Sequence, residues 1–221
     1  MILLNDVSKT FQVGGVENCV AANLSLCFPE GTSVALLGRN GAGKSSLLRM
    51  IAGNMRPDSG QIKVQGSVSW PVGFAGSFHG DLTGLQNTRF VARVYGVDTD
   101  QLVHYVSNYA ELGDKFWLPV RSYSQGMRAR LAFALSMGIN FDTYLIDEIT
   151  AVGDAAFREK CETTLSERLA GRSAIVVSHS LGFLKRVCDA GVVIEDGKAV
   201  WFDDVTEAIR LHRQNMKVDA S

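Results

Sequence analysis

The stretch Gly38-Arg39-Asn40-Gly41-Ala42-Gly43-Lys44-Ser45 restricts what this chain can fold into more than any other. It fits G-x-x-x-x-G-K-[ST], follows the apolar run 33–37 and opens the helical pattern 46–52. A loop of this kind between strand and helix turns backbone N–H groups inward around anionic oxygens, and the helix adds the positive end of its dipole. Lys44 is expected to reach the outer phosphates of a nucleotide, and the Ser45 hydroxyl to face Mg²⁺. Gly38, Arg39, Asn40, Gly41, Ala42, Gly43, Lys44, Ser45 and Ser46 are therefore the expected phosphate-binding residues.

Around this loop, β-branched segments alternate with helical patterns. Strands are expected over 2–7, 20–28, 33–37, 62–64, 143–146, 174–177, 192–195 and 199–201. The rhythm predicts an α/β fold. Asp196-Gly197 between two apolar runs is a two-residue hairpin signal, so the sheet is expected to be mixed. From 85 to 139 the strand signals stop, and 88–95, 100–112 and 125–137 carry apolar residues at helical spacing. That block reads as a helical insertion packed on the core, because no Pro-rich or Ser-rich linker flanks it.

The apolar run 143–146 ends in Asp147-Glu148. Adjacent acids at a strand end commonly cap a helix or sit in a solvated turn. Downstream of a phosphate loop they gain a second meaning, since Mg²⁺ needs an acid such as Asp147 and hydrolysis needs a base such as Glu148 to orient water. The pair with the loop reads as an ATPase or GTPase, and no Asn-Lys-x-Asp base-reading motif favours GTP.

Charge composition narrows the partners. With 22 Lys+Arg against 23 Asp+Glu the chain has no overall field to hold nucleic acid or an anionic surface. Cys19, Cys27, Cys161 and Cys188 lie far apart without a Cys-x-x-Cys pair, and are expected to be reduced and mostly buried. No start of secretory type and no stretch of 18 apolar residues is present, so a soluble, cytoplasmic chain is expected.

Tyr123-Ser124-Gln125-Gly126-Met127 opens a further helix. A Ser hydroxyl and a Gly N–H at a helix N-terminus form an anion site, although Ser there also caps the helix. Here the chain resembles the nucleotide-binding subunit of the ABC transporter family, with motifs in the family's order over nearly its whole length: the phosphate loop, Ser-x-Gly, Asp147-Glu148, Asp154, and His179 after a strand. The resemblance implies a P-loop ATPase core with mixed β-sheet and antiparallel β-subdomain over 1–84 and 140–221, and an inserted helical subdomain over 85–139. It implies ATP and Mg²⁺ as ligands, Phe11 against adenine, Ser45 and Asp147 on the metal, and Glu148 and His179 in catalysis. Ser124, Gln125 and Gly126 would contact ATP held by a second copy of the chain, with Asp154 communicating across that interface. A pair of integral membrane subunits, docked on the loop 70–84, would carry the cargo, placing this chain at the cytoplasmic face of a bacterial inner membrane.

Two departures from the family pattern stand out. Gln125 and Met127 replace the commoner signature Gly and Gln, and no glutamine lies between Gln65 and Gln86, where His79 is a weak candidate for the missing side chain's role. Trp70-Pro71-Val72-Gly73, the run 78–84 and the run 151–161 resemble the polysaccharide-exporting branch, closest to capsular polysaccharide exporters of Gram-negative bacteria. The resemblance implies a polysaccharide handled by the membrane partner. O-antigen export, often accompanied by an appended carbohydrate-binding domain, and a non-transport ABC ATPase remain the alternatives.

Overall fold

The apolar runs that read as strands are shielded on both faces, as parallel strands covered by helices must be. In the computed structural model, which describes residues 1–72, 78–148 and 154–218, β3 (Ser33–Gly38), β5 (Thr143–Asp147), β6 (Ser173–Val177) and β7 (Ala190–Glu195) are buried along nearly their whole length. They form a five-stranded sheet with β8 (Lys198–Phe202) in the order β5-β6-β3-β7-β8. The first four strands are mutually parallel, and β8 returns antiparallel to β7. The turn between them holds Asp196 and Gly197 at φ 47° and 72°, the left-handed pair that a two-residue hairpin requires. The mixed sheet is thus as the sequence predicts.

A second, antiparallel sheet has the order β2-β1-β4, from β1 (Ile2–Val13), β2 (Val16–Phe28) and β4 (Ser59–Val64). Ile2, Leu4, Val7 and Phe28 of this sheet share one core with Val34, Leu36, Val192 and Ile194 of the larger sheet. Helix α1 (Lys44–Ile51) adds Leu47, Leu48, Met50 and Ile51 to it. These strands, α6 (Leu181–Val187) and α7 (Val205–Val218) belong to one compact unit, Met1–Pro71, Phe141–Glu148 and Leu169–Ser221.

The other unit, Val72–Asn140 and Ile149–Arg168, is helical. It holds α2 (Gly84–Tyr95), α3 (Thr99–Tyr109), α4 (Gln125–Gly138) and most of α5 (Ala155–Leu169). Thr83 starts α2 with a full capping box, its hydroxyl accepting from Gln86 N while Gln86 Oε1 accepts from Thr83 N. Tyr109 stacks on Tyr105 and Phe133 and meets Phe157 edge-on, with centroids 5.5, 5.8 and 6.0 Å away. The segments 78–84 and 155–168 therefore group with the helices of 85–139.

Two expectations need amending. Helices α5 and α6 are absent from the sequence reading, because α5 breaks its apolar stripe with many charges and α6 spans barely two turns. The cysteines are not mostly buried: Cys161 and Cys188 are, whereas Cys19 and Cys27 are exposed. On β2, Cys27 takes the outward phase with Ser25, while Leu24 and Phe28 point inward. Burial pushes the thiols of Cys161 and Cys188 up to about 12.

Two stability tests follow from contacts within the first unit. A Cβ on Gly191 of β7 would overlap the Ala208 Cβ of α7, so Gly191→Val should lower unfolding free energy by about 1–3 kcal/mol in denaturant titration. The Asp142 carboxylate accepts from Ser67 N at 2.7 Å and Ser67 Oγ at 2.8 Å, and the Ser67 backbone bond leads in holding its pKa below the ordinary range. A folded-state pKa below the unfolded value of about 3.9 gives stability that is complete above that pH and is lost as pH falls through the folded value. The stability difference between wild type and Asp142→Ala should accordingly shrink on acidification below about pH 4.

Candidate nucleotide site

Parallel strands deliver their carboxyl ends to one edge, and the chemistry-bearing residues of the first unit gather there. Gly38 ends β3, Asp147 ends β5, and His179 follows β6 by two residues. Asp147 is in register with Val177, and Glu148 N donates to Val177 O at 3.1 Å, so the residues after β5 and β6 leave the sheet side by side. Glu148 Oε1 and His179 Nε2 meet at 2.6 Å. Glu148 does so with φ at 47°, a left-handed backbone that costs a non-glycine residue on the order of 1 kcal/mol.

The loop between β3 and α1 is seated by close approach. Gly43 has φ 94°, and a Cβ there would lie 2.6 Å from Val20 Cβ and 2.7 Å from Val20 O, so β2 presses on the loop where only glycine fits. Gly43 also leaves α1 without a side-chain cap, so the first amides of the helix stay available to an anion. Lys44 Nζ donates to Gly38 O at 2.7 Å and Arg39 O at 2.8 Å. Burial lowers the Lys44 pKa, opposed by the carboxylates of Glu148 and Asp147. Ser45 Oγ donates to Asp147 Oδ1 at 3.2 Å.

Cavities lie on both sides of Lys44. One, of about 400 Å³, is bounded by Phe11, Asn18 and Val20 on the small sheet, and by Asn40, Gly41, Gly43, Lys44, Ser45, Ser46 and Glu148. The other, of about 440 Å³, takes Gly38, Lys44, Glu148 and His179 on one wall and His212, Arg213 and Met216 of α7 on another. Arg39 and Ala42 line a further cavity with Glu195 and Asp196. Arg39 Nη2 donates to Asn215 O at 3.0 Å, its Nε lies 3.8 Å from Glu195 Oε1, and Asn215 Nδ2 donates to Glu195 Oε2 at 2.5 Å. Arg39 thus ties the loop to α7 and to the end of β7.

Asn18, Glu195, His212 and Asn215 are site residues that the sequence did not point to. Nothing local marks them, because each reaches the site only through tertiary pairing. Burial, then the charge of Lys44, holds the His212 pKa below the usual imidazole range against the pull of Glu195.

A metal fits the donors present. Ser45 and Asp147 present a hydroxyl and a carboxylate that already touch, a pair suited to Mg²⁺, which commonly takes one or two protein ligands and fills its shell with phosphate oxygens and water. Among the described residues there is no cluster of three or more His, Cys, Asp or Glu that would form an all-protein cage.

The remaining expected residues lie in the helical unit. Ser124 is the N-cap of α4, its Oγ accepting from Met127 N at 3.2 Å, and Ser124 and Gln125 are exposed while Gly126 is half-buried. Asp154 Oδ1 accepts from Phe157 N at 2.9 Å, and its Oδ2 accepts from Arg130 Nη2 at 2.9 Å. The Phe157 bond leads in lowering its pKa, with the Arg130 charge assisting. His79 is bound locally, its N donating to Asn87 Oδ1 and its Nδ1 accepting from Asp81 N. In the loop 70–84, Trp70 meets Phe141 edge-on at 5.5 Å in the first unit and Phe78 is half-buried in the second. Phe74 and Gly73 of that loop, and 151–153 before Asp154, lie outside the described residues.

Comparison with known proteins agrees with this arrangement. The ABC transporter family profile matches residues 21–151. The polysialic acid transport ATP-binding protein KpsT of Escherichia coli is 45% identical, over 98% of this chain and 100% of its own. The capsule polysaccharide export ATP-binding protein CtrD of Neisseria meningitidis serogroup B is also 45% identical, over 94% of this chain and 96% of its own. Among solved structures, the dimeric post-hydrolysis state of the ATP-binding cassette MJ0796 bound to ADP and Pi has the same fold. Its TM-score is 0.75 at 22% identity, covering 90% of this chain and 96% of that one. With a family match over more than half its length and relatives matched nearly end to end, this chain is an ATP-hydrolysing member of the ABC transporter family.

Proposed function

We propose that this chain is the motor subunit of a capsular polysaccharide exporter, closing as a homodimer on two ATP molecules at the cytoplasmic face of the inner membrane. The observation that carries the nucleotide chemistry is the Glu148–His179 pair, whose Glu148 lines both cavities together with Lys44 while His179 lines the one facing α7. The cargo reading rests on the relatives, one named for polysialic acid transport and one for capsule polysaccharide export, both matched along almost their whole length.

In this reading ATP lies along the Phe11 side of the loop, its base stacked on Phe11, and its phosphates take bonds from the loop amides and Lys44. Lys44 must exchange the carbonyls of Gly38 and Arg39 for phosphate oxygens, a change its partial burial favours because an anion restores the lost solvation. Ser45 and Asp147 would hold Mg²⁺, whose charge, when bound, offsets the charge of the phosphates. Glu148 releases His179 and turns its carboxylate to a water for in-line attack, while His179 donates to the γ-phosphate.

The second half of the site comes from the partner copy. Ser124 and Gly126 open α4 with an exposed N-terminus, which suits a γ-phosphate once Ser124 exchanges its bond to Met127 N. A dimer is also the state recorded for the fold neighbour. Asp154, bonded to Arg130 and to Phe157 N in the first turn of α5, would take the interface role. Among the described residues no helix is long and apolar enough to cross a membrane, so a pair of integral membrane subunits would carry the polymer. Phe90 and Val94 on α2, with Trp117 and Leu118 on the turn packed against it, are exposed and offer the helical unit an apolar docking face.

Lys44→Ala should weaken ATP binding about 10–100-fold in equilibrium titration, the worth of a charge-assisted contact. Glu148→Gln should leave ATP binding near wild type, lower turnover at least about 100-fold, and accumulate an ATP-dependent dimer in light scattering. A Glu148→Gln chain that hydrolyses ATP normally would remove the catalytic role of Glu148, and one that stays monomeric with ATP would remove the shared site. In the native cell the same variant should leave polymer inside the cytoplasm and the surface bare; normal surface polymer would overturn the cargo assignment.

A further inference from the structure

The cavity behind Lys44 does not end at the catalytic pair. It adjoins the nucleotide cavity across Lys44, Glu148 and Val177, which line both, and its opposite wall is α7. There Arg213 lines it together with a neighbouring groove of about 270 Å³, whose other cations are Lys185 of α6 and Arg210 of α7. Met216, 51% exposed, stands on the same wall one turn further along α7.

Cations predominate along this run of space, with Asp147 and Glu195 acting on its inner end from outside the lining. From inside outward its cations are Lys44, Arg213, Lys185 and Arg210, with the His212 imidazole beside Arg213 on α7. Among the described lining residues the inner cavity has one carboxylate, Glu148, which contacts His179 at 2.6 Å, and the outer groove has none. Outside that lining, Glu207 stands 3.9 Å from Arg210 as a counter-charge. The wall is also anchored: Arg39 of the phosphate loop holds Asn215 O, so α7 is fastened to the loop it faces.

Hydrolysis of ATP at Lys44 and Glu148 breaks the bond between the terminal phosphorus and its bridging oxygen and leaves inorganic phosphate, with one to two negative charges, beside ADP. While ADP fills the front cavity, its own phosphates stand in the way of a second anion leaving by that route. Beyond Lys44, the exposed cations Arg213, Lys185 and Arg210 give such an anion a favourable potential along the way. We propose that inorganic phosphate leaves through the rear cavity, past His212 and Arg213 into the groove of Lys185 and Arg210, ahead of ADP. This rests on the assignment of Lys44, Glu148 and His179 to the terminal phosphate. Burial and the nearby Lys44 keep His212 below the usual imidazole range, so it offers a neutral hydrogen-bonding stop between two fixed charges.

Two variants of the chain probe the route outside the nucleotide cavity. Met216→Trp fills the rear opening with bulk, and Arg213→Glu reverses the charge at the junction of cavity and groove. After rapid mixing with ATP, acid quenching reads cleavage and a fluorescent phosphate-binding protein reads phosphate reaching solvent. Both variants should bind and cleave ATP within about two-fold of wild type, while phosphate appears at least five-fold later than cleavage; Arg213→Lys should show no lag. Phosphate appearing in step with cleavage in both variants would overturn the route, as would cleavage slowed as much as release. The underlying assignment fails by a separate sign, unimpaired hydrolysis in Glu148→Gln, so the two failures cannot be confused.

Discussion

β3 is bonded in parallel to β6 on one side and β7 on the other, and the site depends on that pairing. Because the phosphate loop grows from the central strand, every neighbour that runs the same way must release its chain at the same edge. Asp147, Glu148 and His179 are there for that reason, the first two from β5 and the third from β6. The pairing of Gly38 with Ile194 does the same on the other side, bringing Glu195 to Arg39. A strand slipped by two residues would keep its buried face and lose the catalytic geometry, since the register sets which residue leaves the sheet beside which.

The loop, the acid pair, the helix opened by Ser124 and the hairpin at Asp196-Gly197 were legible in the sequence because each is a local pattern with its own physical signature. Asn40, Gly41, Gly43, Lys44, Ser45 and Ser46 of the loop line one cavity with Glu148 and with Phe11 of the small sheet. What stayed hidden is long-range. Arg39 looks like any loop residue until Asn215, distant in sequence, is found against it, and His212 sits on an amphipathic helix where a histidine carries no signal of its own. Helix α5 was hidden for a different reason: its polar face is so broad that no stripe stands out, and its packing comes from Phe157, Cys161 and Leu165.

In the proposed dimer, one group of the helical unit would serve stability and chemistry in turn. The Ser124 hydroxyl closes the first turn of α4, and the same hydroxyl is the one that an anion from a partner copy would claim. Asp154 likewise caps α5 and binds Arg130, whose guanidinium also lies 4.2 Å over the Phe157 ring and reaches Glu111. Such bonds are worth about 1 kcal/mol each, enough to hold the elements and small enough to exchange when a stronger ligand arrives.

Glu148 carries a different tension. Its backbone sits where glycine or asparagine would rest more easily, so the fold gives up a little free energy to aim that carboxylate. Selection for heat resistance alone would favour replacing this residue, and with it the side chain proposed to act on water. If Glu148 has the proposed role, a hardened cassette obtained that way would bind its nucleotide without turning it over, so survival of the fold and service as a motor have to be screened for separately at this one residue.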